Sequence, residues 1–98
     1  MDVIKIQEVI NSTSADEDTK GDIIFEKIQK IKKDGSTVVL DFEGIELINT
    51  AFLNNAIGRL FNRKEYDIDK NPVRIAHMKD SAIDLFKESV RVACEKYR

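Results

Sequence analysis

Apolar and polar positions change period several times along this chain, and each change marks an element. Val3 to Ile10, VIKIQEVI, carries Ile4, Ile6 and Val9 as apolar anchors in near-alternation, and its β-branched content predicts a strand. The segment 11–22 holds no core-forming residue and is the most acidic stretch, so it is expected to be a mobile loop. From Asp22 the period becomes helical. Ile24, Ile28 and Ile31 stand at i, i+4 and i+7, flanked by Ile23 and Phe25, with Lys27, Lys30 and Lys33 opposite. Asp34-Gly35 is expected to end this helix, the glycine being available for a left-handed cap.

Ser36 to Phe42 is a second strand. Val38, Val39 and Leu40 are consecutive, which predicts burial of both its faces under helices of a parallel sheet. A short apolar link, Ile45 to Ile48, leads to Asn49-Thr50, two residue types that cap helix starts. Ala51 to Lys64 is the second helix, with a wide stripe of Phe52/Leu53, Ala56/Ile57 and Leu60/Phe61. Glu65 to Asn71 reads as a charged surface loop, Val73 to Met78 as a third strand. Asp80-Ser81, with Asp84 behind them, predict a capped third helix whose apolar face is Ile83, Phe86, Val90, Ala93 and Tyr97. Alternating strands and helices imply an α/β fold: a small, mostly parallel three- to four-stranded sheet packed with three helices. The fourth strand would come from the loop before the first helix or from Ile45 to Ile48.

Length and composition narrow this further. A chain of 98 residues, 42% hydrophobic and 35% charged, fits one folded domain spanning 1–98. A formal charge of −2 with both signs interspersed predicts neither a nucleic-acid nor a membrane partner. Cys94 is the only cysteine, so an intrachain disulfide and a thiolate zinc set are both excluded. The first ten residues lack the apolar core of a signal peptide, and a cytoplasmic location is expected. No cofactor and no metal site are predicted.

The segment Val38 to Phe61, VVLDFEGIELINTAFLNNAIGRLF, carries a resemblance. A buried strand ends in Asp-Phe-x-Gly, an apolar link follows, and a polar pair opens a helix. This resembles the STAS domain (sulphate transporter and anti-sigma factor antagonist), and more closely its STAS-like bacterial relatives. Leu40, Asp41, Phe42, Gly44, Ile45, Ile48 and Leu53 fall on matching positions. The departures cluster at the helix start. Asn49 replaces the family's aspartate, Thr50 its first serine, Ala51 the serine phosphorylated in antagonist members, and Phe52 the following glycine.

The resemblance implies a non-catalytic regulatory module that docks a protein partner, such as a histidine-kinase-like ATPase, through the strand-to-helix turn. The expected partner-facing residues are Asp41, Asn49, Thr50, Phe52, Asn54 and Asn55, with Phe52 partly exposed. Phosphate would switch docking off by adding charge and bulk at the interface, but Ala51 has no hydroxyl and Thr50 is the only neighbouring acceptor. A different reading makes the same helix start a small-anion or nucleotide sensor, since free amides there favour anions.

Other candidates have plainer readings. Asp41 and His77 both end strands and could approach at one sheet edge as the core of an enzyme. The favoured reading is instead a turn-stabilising aspartate and an isolated histidine, with no catalytic residue. Gly44 is expected to supply a turn, Gly58 a close helix-to-sheet contact, and Cys94 a place in the core. Arg59, Arg63 and Lys64, with Arg74 near, read as a solvated basic helix end or as a surface for an anionic partner.

Overall fold

The computed structural model describes residues 2–31 and 37–97. Its elements run β1 (Asp2–Lys5), α1 (Ile6–Ile10), β2 (Ser14–Ala15), α2 (Asp18–Ile31), β3 (Val38–Asp41), β4 (Leu47–Ile48), α3 (Thr50–Ala56), a 3-10 turn (Gly58–Phe61), β5 (Val73–Ala76) and α4 (Asp80–Lys96). The expected cap at Asp34-Gly35 and the strand start at Ser36 lie outside the described residues. The α/β reading holds. Strands β1, β3 and β5 form a parallel sheet in the order β1-β3-β5. Both places offered for a fourth strand are strands, and they pair with each other. Ser14 and Ala15 lie parallel to Leu47 and Ile48 in a separate two-stranded sheet.

The core sits on one face of the main sheet. Ile4, Leu40 and Ile75 share a register row and face inward, whereas the adjacent row reads Val3, Val39 and Arg74. Val3 is 56% exposed and Arg74 is exposed, so Val39 between them is only half-buried. The prediction that β3 is covered on both faces is therefore corrected: three consecutive apolar residues do not require two covering layers. Ile24, Phe25, Ile28, Phe52, Leu53 and Leu60 fill the covered side without measurable exposure beyond Leu60's 1%. Each fully buried residue of this size contributes roughly 1.5–3 kcal/mol.

Other expectations change as well. The strand drawn over Val3 to Ile10 ends at Lys5. Ile6, Val9 and Ile10 stand at i, i+3 and i+4, which suits the one-and-a-half turns of α1 better than a pleat. Asn11 closes that helix in a left-handed conformation, φ 52°, its N–H donating to the Gln7 carbonyl. The segment 11–22 is not a structureless loop. It contributes β2 and the first turn of α2, and both Ala15 and Gly21 are buried. The helix drawn from Ala51 to Lys64 stops at Ala56 and continues as a 3-10 turn.

Gly21 lets α2 approach α3 closely: a Cβ there would lie 2.5 Å from the Phe52 carbonyl oxygen and 2.9 Å from Asn55 Cβ. Gly58 faces Ala93 on α4, so its contact is helix to helix, not helix to sheet. On α4 the inward residues are Ala82, Ser89 and Ala93, small enough to bring the helix close, with Leu85, Phe86 and Val90 half-buried beside them. Lys79 takes the N-cap position without a side-chain hydrogen bond, so the Asp80-Ser81 cap is not formed. Cys94 is exposed, not a core residue. Tyr66, in the segment read as a surface loop, is buried and donates its hydroxyl to the Asn71 carbonyl at 2.7 Å. Among the described residues no helix is long and apolar enough to cross a membrane.

Candidate functional site

Parallel neighbours finish at the same edge, so β3 and β5 bring their carboxyl ends together. The Phe42 N–H donates to the Ala76 carbonyl at 2.9 Å and ties these ends to each other. Beside that bond, His77 Nδ1 lies 2.8 Å from Asp41 Oδ1. His77 is therefore paired and not isolated, contrary to expectation. The turn-stabilising role of Asp41 holds as well, because the same oxygen accepts the Glu43 N–H at 2.9 Å.

Asp41 is 8% exposed, while the His77 side chain is 63% exposed. The Glu43 N–H, followed by the imidazole, holds the Asp41 carboxyl below its ordinary range. In return Asp41 holds the imidazole above its ordinary value. The two turns that frame the pair need left-handed backbone, at His77 (φ 57°) and at Gly44 (φ 84°). Gly44 is thus the turn residue expected of it. A histidine oriented by a carboxylate is half of an acid–base constellation. The next group here is Glu43, whose carboxylate lies with the other two in a cluster of donor atoms no more than 4.8 Å apart.

Next to this pair, the β3–β4 connection and the start of α4 face each other across a groove of about 130 Å³. Phe42, Ile45, Leu47, Ile48, Met78 and Leu85 supply apolar walls, and Glu46, Lys79 and Ser81 polar ones. Leu47 is 53% exposed. A large aliphatic side chain this exposed beside an apolar groove is the kind of surface that partners cover.

The start of α3 is organised differently from expectation. Asn49 is the cap: its Oδ1 accepts the Phe52 N–H at 3.0 Å, while its Nδ2 donates to the Asp16 carbonyl at 2.7 Å. Thr50 is the first residue of the helix, not its cap, and is exposed together with Ala51. Phe52, expected to be partly exposed for docking, is fully buried and packs edge-on against Phe42, ring centroids 6.4 Å apart. It fills the core where the family's glycine would leave space. Asn55 is also turned to internal work, donating to the Asp18 carbonyl at 3.3 Å and to Asp22 at 3.1 Å. Asn54 is exposed, with its oxygen accepting from Ser89 at 3.0 Å.

Of the six expected partner-facing residues, only Thr50 and Asn54 are exposed on α3, while Asp41 presents its carboxyl through His77. The basic patch is partly neutralised. Arg59 lies 3.0 Å from Asp22 and 3.1 Å from Glu65, its guanidinium 4.1 Å above the Phe25 ring, and Arg63 pairs with Asp69. The groove itself went unpredicted. Its only sequence signal was the unusual apolarity of Ile45, Leu47 and Ile48 in a linker.

No curated protein and no solved structure matches the chain. A family model described as a STAS-like domain of unknown function matches residues 20–71, from α2 through β3, β4 and α3 to the turn before β5. That is just over half of the chain and includes the segment that carries the resemblance. With its parallel sheet, its strand–turn–helix edge and this match, the chain belongs to the STAS-like domain family.

Proposed function

We propose that this domain is a regulatory protein-interaction module, without chemistry of its own, that docks a signalling partner at the carboxyl edge of its sheet. The observation that carries the reading is the apolar groove at that edge, with Leu47 exposed beside it. Thr50 and Ala51 at the neighbouring helix start are exposed as well, so one partner surface could cover both. The partner suggested by the STAS resemblance is a histidine-kinase-like ATPase. A neutral helix start followed by an apolar groove is a surface that phosphate would spoil. Ala51 removes the hydroxyl from the expected acceptor position, and regulation is therefore expected to run through something other than phosphate at that residue.

The test is a titration of the isotope-labelled chain with a purified histidine-kinase-like ATPase from the same cell. Amide shifts should centre on residues 45–51 and 78–85. Leu47→Lys should abolish them, and Val3→Lys, on the opposite face of the sheet, should not. Shifts centred elsewhere, or equal binding by both variants, would sink the proposal.

A further inference from the structure

We propose that Asp41, Glu43 and His77 form a binding site for a divalent transition metal of the zinc class. Three observations lead there. First, the set is mixed. One imidazole nitrogen and two carboxylates suit borderline ions such as Zn²⁺, Co²⁺ or Ni²⁺, whereas Mg²⁺ and Ca²⁺ prefer oxygen alone. Second, the donor atoms are already gathered, all within 4.8 Å of one another. Donors about 2.0 Å from a tetrahedral ion lie about 3.3 Å apart. His77 Nδ1 and Asp41 Oδ1, now 2.8 Å apart, need only open slightly. The Glu43 side chain is exposed and can close the remaining distance by rotation.

Third, the anchors come from two adjacent strand ends that the backbone holds together. Asp41 is the last residue of β3, and His77 follows β5 directly. The bond from Phe42 N–H to Ala76 fixes their spacing, and the Glu43 N–H fixes the Asp41 carboxylate. Little ordering remains to be done on binding. An ion would take the place of the proton that Nδ1 and Oδ1 now share, leaving the exposed side open to water or to a donor from another molecule. Lys5, in register with Asp41 on β1, is a cation across the strand pair, and its charge opposes that of the ion.

The assignment does not rest on partner docking, and its test uses the isolated chain. The chain is stripped with chelator and titrated with Zn²⁺ by calorimetry, with amide spectra recorded alongside. One ion per chain is expected, with shifts confined to residues 41–45 and 76–78. His77→Gln and Glu43→Gln, both at exposed side chains, should each weaken binding by about tenfold or more. Cys94→Ser removes the one competing thiol and should leave affinity unchanged. Failure to bind, shifts around Cys94, or full affinity in His77→Gln would each overturn the assignment.

Discussion

Gly21→Ala offers the sharpest test of the packing that holds α3, and with it the candidate edge, in place. In an ordinary helix this substitution stabilises, by up to about 1 kcal/mol, because glycine has the poorer propensity. Here the new methyl would stand 2.5 Å from the Phe52 carbonyl oxygen, 2.9 Å from Asn55 Cβ and 3.0 Å from the Ala56 nitrogen. Two of these are backbone atoms and cannot rotate away. Restoring an ordinary 3.4 Å contact requires α2 and α3 to part by most of an ångström. That movement also stretches the hydrogen bonds from Asn55 to Asp18 and Asp22 and the Arg59–Asp22 pair.

Overpacking of this kind costs about 1–3 kcal/mol. It outweighs the propensity gain, which is small in the first helical turn where Gly21 sits. A net loss of about 2 kcal/mol is expected, equivalent to a Tm lower by roughly 8–16 °C for a domain of this size. Urea unfolding followed by far-ultraviolet circular dichroism measures it. Gly58→Ala is the control, since its methyl would meet only Ala93 Cβ at an ordinary 3.6 Å and should leave stability level or raised. If Gly21→Ala proves as stable as the parent, the close approach of α2 and α3 is wrong.

Phe52→Ala should cost about 3–5 kcal/mol in the same assay, because the ring is fully buried against Phe42; a change under 1 kcal/mol would return Phe52 to the surface. Asn49→Ala should cost about 1–2 kcal/mol, through the lost cap and the lost bond to the Asp16 carbonyl. In chelator-treated protein, imidazole shifts should place the His77 pKa above its ordinary value, and Asp41→Asn should bring it back. The stabilisation tied to His77 is thus full below about pH 6.5 and fades as pH rises through the folded-state value. The part tied to Asp41 is present above the ordinary carboxylate range and fades as pH falls through its lowered value.

Where burial has a period, the sequence was legible. The isoleucine spacing of α2, the paired stripe of α3 and the β-branched run of β3 each announced their element. Short elements were not legible in the same way. Residues Ser14 and Ala15 carry no strand signature, and their pairing with Leu47 and Ile48 is decided by tertiary neighbours. The break after Ala56 is equally silent, since Leu60 and Phe61 continue the apolar stripe. At the edge, Asp41 and His77 are 36 residues apart, and only the pairing of β3 with β5 brings them together. The burial of Phe52 is not legible from the STAS resemblance, because a glycine at that position fits a surface turn as well as a core gap.

The small sheet of β2 and β4 makes the early acidic segment a strap across the candidate edge. The N–H groups of Glu46 and Leu47 donate to the Thr13 carbonyl, that of Asn49 to Ala15, and the Asn49 side chain reaches the Asp16 carbonyl. These bonds lie side by side and join two parts of the chain more than thirty residues apart. Residues 13–16 and 46–49 should therefore exchange their amide hydrogens as one cooperative unit, with a common opening free energy below that of the core. A partner that seats on Leu47 would slow exchange at Ala15 without touching it. Occupancy of the edge would in that way be felt at the far end of the strap.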